Sequence, residues 1–164
     1  MREAYFGTDG QPVDLWDGYA VIERDYDEDG YVTAERYLDG AEQPVLHRQG
    51  YASLKRTYNE QKQVIREAYF DTDGNPVLQQ DNYAVIEKDY DEEGNVTAER
   101  YFDISGQPVF RRQGYASVEK TYNEQNKVIR EAYFGTDGKP VELWDGYAVI
   151  ERDYDADGNV TAER

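Results

Sequence analysis

Cysteine is absent from the 164-residue chain, which removes disulfides, thiolate nucleophiles and thiolate metal sites together. Histidine occurs once, as His47 in "VLHRQG", and the three serines, Ser53, Ser105 and Ser117, follow no nucleophile-elbow or triad pattern. Glycine-rich phosphate loops are missing, and paired carboxylates are so abundant that any two would meet by composition alone. The sequence therefore reads as non-enzymatic. It also lacks a signal peptide, a lipidation motif and any long apolar run, so no membrane insertion is expected. Basic residues are few: 18 Lys and Arg stand against 35 Asp and Glu, a net charge of −17. Such a chain repels nucleic-acid phosphates and anionic lipid surfaces, and neither is expected as a partner.

With only 38% apolar residues, the chain predicts a thin core. Tyrosine compensates, because 16 tyrosines supply large apolar bodies whose hydroxyls can stay wet. Their placement is periodic. All five prolines, Pro12, Pro44, Pro76, Pro108 and Pro140, are spaced by 32 residues, and every tyrosine except Tyr31 keeps the same clock. A 64-residue period lies over the first, since "GYAVIERDYDEDGYVTAERY" alternates with "GYASLKRTYNEQKQVIREAYF". Residues 129–164 copy residues 1–36 with five changes, and the chain opens in mid-pattern. It reads as one repeat array over residues 1–164, with units beginning near Val32, Val64, Val96, Val128 and Val160, taken from a longer array or engineered as a scaffold without a native ligand.

The stretch "YASLKRTYNEQKQVIREAYF" spaces its apolar residues almost as a helix would. Its sister units carry "YDEEGNV" and "YDADGNV" at the matching place, where a mid-helix glycine costs about 1 kcal/mol relative to alanine. Asp-x-x-Gly instead suits a type I turn closed by a left-handed residue, with Asn126 a tolerable substitute for glycine and Lys62 and Glu42 poorer ones. The expected fold is all-β: antiparallel hairpins or three-stranded meanders repeated into an elongated, solenoid-like array in which each unit is completed by its neighbours. In the third unit the predicted strands are Val64–Phe70, a short one around Val77–Leu78 after Pro76, and Tyr83–Tyr90.

At "YFDTDGNPV" and "YDEEGNV" the chain resembles the tandem tyrosine-rich hairpin repeats of large bacterial surface and secreted proteins, among them cell-wall-binding, clostridial toxin, Tyr-Asp and MORN-like repeats. The resemblance implies a non-catalytic hairpin array at the cell surface or outside the cell, serving as a spacer or stalk or as a module that binds glycan or cell-wall polymer. The choline-type members build ligand cages from tryptophans in every unit. Here only Trp16 and Trp144 are present, with Arg48, Gln80 and Arg112 at the equivalent positions.

Two sets of candidate site residues follow. Trp16 and Trp144, with the neighbouring Tyr19 and Tyr147, are the candidates for stacking against a sugar, although a tyrosine recurring in every unit also suits the seam between units. Asp25, Asp27 and Asp29, repeated as Asp153, Asp155 and Asp157, alternate ahead of a glycine as in a calcium loop. The twelfth position of that loop, which would hold a bidentate glutamate, is Arg36 in the first copy and Arg164 in the second. As a turn, "DYDEDG" would instead leave Asp25 and Asp27 to pair with Arg or Lys across the strands. Calcium is thus the one cofactor the sequence suggests.

Overall fold

The computed structural model describes Met1–Arg164 and is all-β. Eleven strands follow in order: β1 (Arg2–Ala4), β2 (Val21–Tyr26), β3 (Val32–Leu38), β4 (Ser53–Tyr58), β5 (Val64–Phe70), β6 (Val85–Tyr90), β7 (Val96–Phe102), β8 (Ser117–Tyr122), β9 (Val128–Phe134), β10 (Val149–Tyr154) and β11 (Val160–Glu163). They form one open antiparallel sheet whose spatial order is the order of the sequence. Each 32-residue unit contributes two strands, and successive units join edge to edge through the backbone ladder.

Tight turns close one side of the sheet. In each, a register shift at the strand end, as between Asp25 and Tyr26, marks the bulge, and a residue of positive φ completes the turn. Gly30 takes that place at φ 87°, and Lys62 and Asn126 occupy it in the even units at 63° and 56°. The helical spacing of "YASLKRTYNEQKQVIREAYF" is therefore split by Lys62 into β4 and β5. Long loops close the other side. The one after β5 turns at Asp71–Gly74, where the Asp71 carboxylate accepts the Asp73 and Asn75 amides at 2.9 and 2.8 Å.

The expected middle strand at Val77–Leu78 does not form. Pro76 makes only an isolated bridge to Phe70, and Val77 donates a single backbone bond to the Tyr69 carbonyl at 3.1 Å. Proline has no N–H for a ladder, so the segment stays a strap over the sheet. The third predicted strand also starts later, at Val85, because Tyr83 accepts from Gln79 within the loop.

The straps put the core on one face. Only 20 residues are buried, and the largest cluster runs as a line across the sheet from Ile22 through Leu54, Ile86 and Val118 to Ile150, with tyrosines between. Accessible area totals 9947 Å², above the roughly 8,400 Å² expected of a compact monomer of this mass.

Beside the apolar line, the same face carries one charge per strand, alternating in sign: Glu3, Arg24, Glu35, Arg56, Glu67, Lys88, Glu99, Lys120, Glu131, Arg152 and Glu163. Arg24 bonds Glu3 at 2.6 Å and Glu35 at 3.5 Å, Arg56 meets Glu35 at 3.0 Å, and Arg152 bridges Glu131 and Glu163 at 2.9 and 2.7 Å. The Glu35 side chain is 13% exposed. Burial pushes its carboxyl up, but the Tyr37 hydroxyl, Arg56 and Arg24 outweigh that and hold it below the usual range. Glu35→Gln, which keeps the shape and removes the charge, is expected to cost about 2 kcal/mol in urea unfolding. Glu119→Gln, on the exposed face, should stay within about 0.5 kcal/mol of the parent.

Candidate functional site

The tyrosines assemble into a single ladder. Tyr5, just past β1, and the strand residues Tyr37, Tyr69, Tyr101 and Tyr133 interleave with Tyr19, Tyr51, Tyr83, Tyr115 and Tyr147, and successive ring centroids lie 4.8–6.2 Å apart. Edge-on contacts recur between tilted ones, the arrangement that aromatic quadrupoles favour. The ladder is interior: Val45, Val77, Val109 and Val141 of the straps pack against it. A second row, Tyr58, Tyr90, Tyr122 and Tyr154, donates hydroxyls to the carbonyls of Val32, Val64, Val96 and Val128 at 2.7–2.8 Å, tying each hairpin to the one before.

Tyr19 and Tyr147 therefore belong to the seam between units rather than to an open stacking platform. Trp16 and Trp144 lie outside, 78% and 90% exposed. Arg48, one repeat along, stacks its guanidinium 3.5 Å above the Trp16 ring, and Trp144 approaches Gly114. The straps are stitched at their tips: Arg48 N–H donates to Asp17 O at 2.8 Å, Gln80 to Gln49 at 2.6 Å and Arg112 to Asp81 at 3.0 Å.

The acidic candidates are held apart by other duties. Asp25 pairs bidentately with Arg36 at 2.7 and 2.9 Å, as a hairpin end should. Asp27 turns inward, its Oδ1 accepting the Asp29 and Tyr31 amides at 3.0 and 2.8 Å, and Asp29 pairs with Lys62. Near the other end, Asp153 pairs with Arg164 at 2.8 Å and Asp155 accepts the Asp157 and Asn159 amides at 3.0 and 2.8 Å. No group of three or more acidic or histidine side chains is arranged to hold a metal ion.

The sequence reading missed the row that lies directly on the ladder, at positions 15, 47, 79, 111 and 143. It reads Leu, His, Gln, Arg, Leu. His47 sits among Tyr19, Tyr37 and Tyr51, with ring centroids at 5.8, 4.8 and 5.3 Å, and burial lowers its pKa. Arg111 occupies the same place above Tyr83, Tyr101 and Tyr115; its Nη1 donates to the Tyr101 and Tyr115 hydroxyls at 2.8 and 3.2 Å, and its Nη2 pairs with Asp81. The signal available in the sequence was the variation itself, since this position changes while its neighbours repeat. No protein-family model matches the chain, and no curated protein matches it.

Proposed function

We propose that the chain is a non-catalytic spacer, a stalk-like segment whose length is set by the number of units. The observation that carries this reading is that every strand touches only its neighbours in the sequence. A sheet so built grows sideways: each unit adds two strands, about 10 Å at the usual interstrand spacing, and eleven strands span about 48 Å. The resemblance of its turn motifs to surface hairpin repeats supports a surface or secreted setting. The exposed indoles of Trp16 and Trp144 favour a second reading, in which the strap edge also binds glycan or wall polymer. Small-angle scattering on the chain, and on a version lengthened by one 64-residue pair of units, tests the spacer. The maximum dimension should grow by about 20 Å; an unchanged dimension would refute an extended array.

A further inference from the structure

The third strap departs from its copies at adjacent positions. Where the first and fifth units read "LWDG", the third reads "QQDN", as Gln79, Gln80, Asp81 and Asn82. Between this strap and its neighbours lies a hollow of about 460 Å³, within the usual range of volumes for small-ligand sites. Gln49, Gln79, Gln80, Asp81, Arg112 and Gln113 line it.

The hollow is built rather than incidental. Backbone bonds from Gln80 to Gln49 and from Arg112 to Asp81 fix its two sides. Asn82 takes the glycine place at φ 72° and donates its side-chain amide to the Phe110 carbonyl at 2.7 Å, pinning one strap to the next. Gln79 is 8% exposed, the one buried polar residue of the chain, and its Oε1 accepts the Asp81 amide at 2.9 Å.

Its chemistry is specific. A glutamine amide both donates and accepts, as a ring hydroxyl does, so a cluster of amides matches a polyhydroxylated ring. The Asp81 carboxylate is already taken by Arg111. Arg112, in contrast, has neither an ion pair nor the aromatic partner that Arg48 has in Trp16. In a chain of net charge −17, this hollow offers an uncommitted guanidinium, the group best shaped to take a carboxylate bidentately.

We propose that the hollow binds a carboxylated sugar residue of the uronic acid class, its hydroxyls held by Gln49, Gln79, Gln80 and Gln113 and its carboxylate by Arg112. The site does not depend on the spacer reading, since an extended array can stand with the hollow empty. Amide chemical shifts of the full chain, followed during titration with sodium glucuronate, glucose and sodium acetate at constant ionic strength, test it. Glucuronate should shift the amides around the hollow with a Kd of about 1 mM, a modest affinity for a ligand of its size. Glucose and acetate should bind about tenfold more weakly or worse, each offering only part of the match. Arg112→Gln should abolish the preference for glucuronate over glucose. The double substitution Gln79→Leu/Gln80→Trp, which the first and fifth units already accommodate, should abolish binding while the strand circular dichroism is unchanged. Shifts confined to Trp16 and Trp144, acetate binding as well as glucuronate, or glucuronate binding that survives both variants would each overturn the proposal.

Discussion

Tyr101→Ala is expected to destabilise the sheet by about 3–5 kcal/mol, the range for deleting a buried aromatic ring. Tyr101 is fully buried at the centre of the ladder. Its ring meets Tyr83 and Tyr115 at centroid distances of 4.9 and 5.8 Å, and its hydroxyl donates to Glu99 at 2.9 Å while accepting from Arg111. Truncation opens a cavity beneath the strap and strips Arg111 of a partner, and Arg111 Nε already has none. Tyr101→Phe keeps the ring and should cost about 1–2 kcal/mol, the loss of the hydroxyl's bonds. Trp144→Ala, at the exposed edge, should change stability by less than about 0.5 kcal/mol. Urea unfolding of the three variants checks the order, and equal losses for Tyr101→Ala and Trp144→Ala would show that the ladder is not the core.

Alkali should unfold the protein cooperatively. Burial pushes the Tyr51 and Tyr133 hydroxyls up to about 12, and it raises those of Tyr37, Tyr69 and Tyr101 as well. The sign follows from linkage: the unfolded chain releases these protons near pH 10 while the folded ladder keeps them. The stabilisation is complete below pH 10 and is lost as pH rises through the folded values. Tyr51 alone removes about 2 kcal/mol by pH 12, and its neighbours act in the same direction. Phenolate absorbance should therefore include a late, cooperative rise coinciding with loss of the strand circular dichroism. Smooth titration of every tyrosine with the sheet intact would place the ladder in water.

Much of this fold was legible because its turns are chemical. Asp-x-x-Gly fixed the hairpin ends, and even the poor glycine substitutes, Lys62 and Glu42, hold positive φ as the repeat required. Strand β5 appears with the predicted bounds, Val64–Phe70. The short strand after Pro76 failed because a proline followed by one bonded amide cannot sustain a ladder. The candidate site was less legible. Tyrosine periodicity identified a seam, but the covering of one face depends on how a long strap folds back, and local letters do not encode that path. Gln79 and Arg111 are loop residues that the straps lay against the tyrosine ladder, and nothing in the neighbouring letters marks them for that place. Trp16 and Trp144 depart from the repeat and are exposed, whereas the change to "QQDN" carries little signal in the letters alone, because what a glutamine bonds depends on its surroundings.

The central claim is that a 32-residue unit has no independent stability and is held by the edges and ladder rings of its neighbours. Urea unfolding of arrays of one, three, five and seven units, followed by circular dichroism, tests it most directly. A single unit should show no folded baseline, and both midpoint and m-value should rise with each added pair of units, as nearest-neighbour coupling requires. An isolated unit that unfolds cooperatively at the midpoint of the five-unit chain would contradict the account.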